Sequence, residues 1–255
     1  MSVLQEILQN GDIENFKQEA KWILQSAENE NQALSFAKKR AEHYPLQYIL
    51  GEWDFYDLTL KIGEGVLIPR TDTEILVDKV KDFSAPLSHP VIIDLCSGSG
   101  AIAFALENQL PNAEIFALEY SEKAFSFLEI NKKNLNSRVE LIQADVLNYN
   151  TNKKFDIITC NPPYLTEKDI ENCQYELKFE PVLALNGEQN ADGLRYYREI
   201  SALWRKNLNK NGRLFFEIGA TQDSDVKEIL SQNDYKNIEI FKDYSGFNRV
   251  VTAVI

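Results

Sequence analysis

The chain has 255 residues, with 27 Lys and Arg against 39 Asp and Glu, and a formal net charge of −12. That length suits one large α/β domain or a domain with a smaller partner, and the acidic balance argues against a nucleic-acid or anionic-membrane partner, because neutralising phosphates takes clustered Lys and Arg. Three cysteines, Cys96, Cys160 and Cys173, with no CxxC spacing and only two histidines in the chain, argue against a disulfide framework or a metal site.

Met1-Ser2-Val3 leads into mixed polar sequence, and no run of about 18 apolar residues occurs. The expectation is a soluble, cytoplasmic monomer. Residues 1 to 44 place Leu4, Ile7, Leu8, Ile13, Phe16, Ala20, Ile23, Leu34 and Ala37 at largely three- and four-residue spacings, which predicts three short helices. Gly11-Asp12 separates the first two, with Asp12 the expected N-cap of the second, and residues 29–31 separate the second from the third. Such helices are either a docking module or a cover on the main domain.

Pro45 stops the third helix. The aromatic, nearly alternating stretch 46–68, with Gly63 and Gly65 as turn residues, predicts a β-hairpin or an extended linker. A helix is expected over 73–81, capped by Asp72 or Thr71. Arg70, just before it, is either a surface charge or a holder of an anionic ligand group. From residue 91 strands and helices alternate: strands at 91–95, 114–119, 138–145, 155–160 and 213–218, and helices at 101–110, 121–135, 194–208 and 224–230. Residues 164–192 read as loop-rich. Two closing strands, 238–244 and 249–255, are expected to form an antiparallel hairpin at a sheet edge. This alternation predicts an α/β fold with a doubly wound, mostly parallel sheet. The expected division is a helical unit at 1–50, a hairpin linker at 51–72 and the main domain at 73–255.

Two strand ends carry the chemistry. Asn161-Pro162-Pro163-Tyr164 follows the strand at 155–160, where open α/β sheets bind ligands. The prolines fix φ and remove two N–H donors, leaving carbonyl oxygens and the Asn161 amide to accept from a planar NH2 group, with the Tyr164 ring against its face. The second site is Asp94-Leu95-Cys96-Ser97-Gly98-Ser99-Gly100, linking the first strand of the sheet to its helix. Gly98 and Gly100 allow close backbone approach and Ser97 and Ser99 keep the turn small. Glu119 ends the next strand, where a carboxylate can accept both hydroxyls of a ribose. Gly98-Ser99-Gly100 with Ala103 also fits the loose form of a dinucleotide fingerprint. Asp94, four residues before Gly98, resembles the acidic residue at the first strand end of S-adenosylmethionine methyltransferases, and the tetrad tips the choice that way; Asp145, with Val146 beside it, would then flank the adenine, or is a solvated strand-end acid.

Pro45 to Gly51, Leu67-Ile68-Pro69-Arg70 with Thr73-Glu74, Leu95 to Ala103, the tetrad, Phe179-Glu180-Pro181, and Asp192-Gly193-Leu194 with Tyr197-Arg198 resemble the HemK/PrmC family of peptide chain release factor glutamine N5-methyltransferases. The resemblance runs from about residue 20 to the C-terminus. It implies a class I S-adenosylmethionine methyltransferase fold with seven strands and a small N-terminal helical domain for substrate recognition. The implied substrate is the glutamine of the Gly-Gly-Gln motif in release factors. Carried over by position, Asn161 and the Pro162 carbonyl hold the glutamine NH2, with Pro163 beside them, and Tyr164 shapes the pocket. Cys96, Ser97, Gly98, Ser99, Gly100, Glu119, Val146 and Asn161 line the S-adenosylmethionine site. The chain departs from the family pattern at Cys96, where glycine is usual, and at Thr71, where proline often follows Ile-Pro-Arg, and its N-terminal region is shorter. The rival readings are a glutamine methyltransferase for a ribosomal protein, an amino-group methyltransferase for nucleic acid, and a non-catalytic binding protein on the same fold.

Overall fold

The structure is a computed structural model that describes residues 1–188 and 191–255. Gln189 and Asn190, inside the stretch expected to be loop-rich, lie outside the described residues.

Three helices open the chain: α1 (Val3–Asn10), α2 (Phe16–Ser26) and α3 (Glu30–Ala41). Ser2 and Gln5 form a reciprocal capping box on α1, and Asn29 caps α3 by accepting from the Gln32 N–H at 3.0 Å. Leu4, Leu8, Ala20, Ile23, Ala33 and Ala37 meet in one apolar cluster. Asp12 does not cap α2. It sits in the left-handed region at φ 55°, and Asn15 occupies the N-cap position without a side-chain bond.

Residues 46–50 are helical rather than extended, forming α4 (Leu46–Leu50). Pro45 is suited to a helix entry, and Gly51, at φ 74°, closes the turn by donating to Gln47 O. The β-rich composition there serves burial: Leu46, Tyr48 and Ile49 are all buried. The hairpin follows as β1 (Glu52–Phe55) and β2 (Leu58–Lys61), antiparallel. Its Phe55 and Leu60 are buried in the same cluster as residues of the main sheet. The helix expected over 73–81 is α5 (Glu74–Ser84), entered through a 3-10 turn, Thr71–Thr73, without a side-chain cap from Thr71 or Asp72. Asp72 instead faces Arg249, Oδ2 lying 3.6 Å from Nη2.

The main sheet is built from β3 (Val91–Leu95), β4 (Glu114–Glu119), β5 (Glu140–Gln143), β6 (Phe155–Cys160), β7 (Leu208–Glu217), β8 (Lys236–Lys242) and β9 (Asn248–Val254). Among the described residues its order is β5-β4-β3-β6-β7-β9-β8, with β9 antiparallel to both neighbours and the other pairings parallel. The helices are α6 (Ala101–Gln109), α7 (Glu122–Leu135), α8 (Glu167–Glu171), α9 (Val182–Asn186), α10 (Arg195–Trp204) and α11 (Asp223–Gln232). Alternating strand residues feed opposite faces, as a period of two requires. Ile92 and Ile157 pack with α5 and α6, whereas Ile93, Leu95, Ile158 and Cys160 pack with Tyr197 and Trp204 of α10.

Two boundaries differ from expectation for local reasons. β5 stops at Gln143 because Asp145 starts a turn, its Oδ1 accepting from Leu147 N–H at 2.9 Å. α10 stops at Trp204, and β7 starts already at Leu208, because buried Asn207 donates to Thr151 O and Lys153 O at 2.8 and 2.9 Å and draws the chain to the sheet. Residues 164–192 contain α8, α9 and a 3-10 turn, Tyr175–Phe179. No described helix is long and apolar enough to cross a membrane.

Candidate active site

The chain winds from β3 outward to β5 and then returns to β6 on the other side of β3, so the topological switch lies between β3 and β6. Leu95 pairs with Cys160 across that gap, which brings the two loops that follow, Cys96–Gly100 and Asn161–Tyr164, side by side. One cavity opens there. Its walls include Cys96, Ser97, Gly98, Ser99, Glu119, Asp145, Val146, Asn161 and Pro163. Pro162, Tyr164 and Gly100 do not line it.

The glycine turn is held from several sides. Ser97 N–H donates to Leu118 O at 3.0 Å, and Ser97 Oγ to Asp94 O at 2.8 Å. Gly98, at φ 55°, presents its N–H to Glu119 Oε2 at 2.8 Å. Gly100, at φ 87°, faces the core: a Cβ there would come 2.2 Å from Phe104 Cε2 and 2.6 Å from Leu128 Cδ1. Its absence of a side chain therefore serves the packing of α6. Cys96 adopts φ 57°, a conformation where glycine is easier, and keeps its thiol half-buried beside the cavity.

Glu119 is 8 % exposed, and its Oε1 accepts from Ser121 N–H at 2.7 Å. Burial pushes its pKa up, opposed by the bonds from the Ser121, Gly98 and Tyr120 backbone. Asp94 lies beneath the turn, fully buried. Burial drives its pKa up to about 7, against the lowering effect of Ser97 and Thr159; Thr159 donates to Oδ1 at 2.9 Å and Oδ2 has no partner. Asp145 uses both oxygens on its own turn, Oδ2 accepting from Asn148 Nδ2 at 2.6 Å.

Tyr164 makes its hydrogen bonds with β7 and the loop that follows it. Its hydroxyl donates to Glu217 Oε1 at 3.2 Å and its carbonyl accepts from Gln222 Nε2 at 3.1 Å. Glu217 ends β7 and is buried. Desolvation raises its pKa, with Thr73, Arg249 and Tyr164 acting in the opposite direction. These two bonds anchor the tetrad loop through Tyr164.

Further cavity walls come from residues outside the two strand-end motifs. Tyr120 and Ser121 follow Glu119, Tyr196 projects from α10, and Leu67, Pro69, Arg70 and Thr73 come from the approach to α5. Pro181, Leu183 and Ala184 complete the outer side. An aromatic directly after a strand-end acid was the signal available for Tyr120, which is 59 % exposed. A carboxylate at the end of β4, a turn without a Cβ at Gly98, and apolar Leu118 and Val146 form a suitable set for a nucleoside-bearing ligand.

An open α/β sheet of this order with a glycine turn after β3 defines the class I methyltransferase fold. A methyltransferase from Pyrococcus furiosus shares it, with a TM-score of 0.53 at 17 % identity over 76 % of this chain and 88 % of that one. The methyltransferase small domain family matches residues 71–177. A release factor glutamine methyltransferase of Fusobacterium nucleatum is 43 % identical over 221 residues, 85 % of this chain, which spans 61 % of that relative's length. That of Thermodesulfovibrio yellowstonii is 40 % identical over 222 residues, covering 85 % of this chain and 78 % of the relative. The chain belongs to the release factor glutamine methyltransferase family.

Proposed function

We propose that this protein transfers a methyl group from S-adenosylmethionine to the side-chain amide nitrogen of the glutamine in the Gly-Gly-Gln motif of peptide chain release factors, acting in the cytoplasm on translation termination. The observation that carries the reading is the placement of Asn161 and the Gly98 turn on one cavity at the switch between β3 and β6. The family relatives support the substrate.

S-adenosylmethionine supplies an electrophilic methyl on a sulfonium. Of the residues on the cavity, Glu119 would accept from ribose hydroxyls, Gly98 would let the ligand approach the backbone, and Leu118, Val146 and Tyr120 would enclose the base beside Asp145. Asn161 Oδ1 and the Pro162 carbonyl accept from the glutamine NH2. An amide nitrogen is a weak nucleophile because its lone pair is delocalised into the carbonyl, and accepting from its N–H groups returns electron density to nitrogen. Orientation supplies much of the rest, since a well-held geometry can remove several kcal/mol of barrier. Tyr164, through Glu217, fixes the loop that sets this geometry. Residues 1–50 serve as the recognition unit and residues 73–255 as the transfer unit, with residues 51–72 between them.

The test is methyl transfer from radiolabelled S-adenosylmethionine to a purified release factor, beside a copy with the motif glutamine replaced by alanine, a mixture of ribosomal proteins and duplex DNA. Label on the first protein alone supports the reading. Label on DNA or on ribosomal protein, with none on the release factor, contradicts it.

A further inference from the structure

Arg40 of α3 is 9 % exposed and spends its guanidinium on two different parts of the molecule. Nε and Nη2 donate to Glu19 of α2 at 2.6 and 3.3 Å, a two-pronged pair inside the N-terminal helices. Nη1 donates to Glu176 Oε1 at 3.0 Å, in the 3-10 turn that follows α8. His43 Nδ1 lies 3.5 Å from the same oxygen. Aromatic contacts run alongside, Tyr44 to Phe179 at 5.1 Å and His43 to Tyr175 at 5.7 Å between ring centroids.

From Glu176 the chain runs directly into the cavity wall. Glu180, its side chain 1 % exposed, pairs with Arg70 and accepts from Ile68 N–H at 3.0 Å. Pro181, Leu183 and Ala184 line the cavity next. Leu185 O then accepts from Leu165 N–H at 2.9 Å, joining this wall to the tetrad loop. The N-terminal helices are therefore tied to both the outer wall and the loop that carries Asn161.

Glu19 already neutralises Arg40, so the Glu176 bond is not needed for charge balance. Glu176 is about three-tenths exposed and the Arg40 side chain about one-tenth, so solvent screens the bond only in part. Its consequence is geometric, because the planar fork of arginine fixes the direction of each partner. We propose that Arg40 is a positioning residue for the cofactor cavity: through Glu176 it holds residues 175–184 so that Pro181, Leu183 and Ala184 form the wall opposite the glycine turn. This inference rests on the reading of the cavity as the S-adenosylmethionine site. It gives the N-terminal helices a role in cofactor binding that is separate from any contact they make with a protein substrate.

The experiment uses the full chain, titrated with S-adenosylhomocysteine in a calorimeter. Glu176→Ala cuts the tie and leaves the buried Arg40–Glu19 pair intact, whereas Glu176→Gln keeps an oxygen for Arg40. The expected result is that Glu176→Ala weakens binding roughly tenfold, in keeping with the sensitivity of a site to small displacements. Its unfolding stays a single cooperative transition above the temperature of the titration, and Glu176→Gln recovers most of the affinity. Wild-type affinity in Glu176→Ala overturns the inference, as does a loss that Glu176→Gln shares in full. Wild-type protein that binds no S-adenosylhomocysteine overturns the reading of the cavity itself, a distinguishable outcome.

Discussion

Glu119 Oε2 accepts from the backbone N–H of Gly98 at 2.8 Å, so the end of β4 and the turn after β3 are locked together. Its other oxygen is held by Ser121 N–H at 2.7 Å. The carboxylate is therefore preorganised, and its removal should both empty the ribose position and loosen the turn. Glu119→Ala is expected to weaken S-adenosylhomocysteine binding by roughly two orders of magnitude. It should also cost about 1–3 kcal/mol of folding stability from the N–H groups left without an acceptor. Calorimetric titration and chemical denaturation check the two effects separately.

Asp94 makes the stability of the free protein depend on pH. Its folded pKa, raised by burial to about 7, lies above the ordinary carboxylate value, so the folded state holds the proton more tightly than the unfolded chain. The contribution is fully present below about pH 4 and is lost as pH rises through about 7. Asp94→Asn keeps an oxygen for Thr159 and carries no charge. Its stability relative to wild type should therefore rise between about pH 4 and pH 8, by up to roughly 4 kcal/mol. Denaturation midpoints of both proteins across that range test the sign; a constant difference would contradict it.

Cys96 occupies φ 57°, in the left-handed region that a β-branched side chain tolerates worst. Cys96→Val is expected to destabilise the fold by about 2 kcal/mol or more and to narrow the cavity that Cys96 lines. Cys96→Gly removes the strain at a compensating entropic cost and should stay within about 1 kcal/mol of wild type. Thermal unfolding of the pair distinguishes backbone strain from loss of the thiol, which both variants share.

The Tyr164 hydroxyl donates to buried Glu217 Oε1 at 3.2 Å, with the Thr73 side chain also bearing on that carboxyl. Tyr164→Phe should therefore lower stability by about 1–3 kcal/mol. It should lower the transfer rate more than cofactor affinity, because the ring does not line the cavity. Comparing the rate at saturating cofactor with the titrated affinity checks the split.

The alternation of strands and helices from residue 91 and the two strand-end motifs were legible because each is contiguous: Asp94 to Gly100 and Asn161 to Tyr164 carry their chemistry in consecutive residues. Tyr196, Thr73 and Leu183 reach the same cavity from distant segments, and no spacing in the chain announces that convergence. Tyr164 and Gly100 belong to recognisable motifs, yet direction is a tertiary property, and Glu217 and Phe104 decide it for them. Residues 46–50 show the same limit. Their strand-like composition reflects the need to bury Leu46, Tyr48 and Ile49, while Pro45 and Gly51 set the helical turn.

Asn161 is proposed to hold the one glutamine nitrogen that receives the methyl group. The most direct measurement is mass spectrometry of the Gly-Gly-Gln peptide from a release factor incubated with S-adenosylmethionine and either wild-type protein or Asn161→Ala, whose fold and S-adenosylhomocysteine binding have been verified. One methyl group on the motif glutamine is expected with the wild type and none with Asn161→Ala. An unmodified peptide with wild-type protein that binds S-adenosylhomocysteine, or full methylation by Asn161→Ala, would overturn this reading.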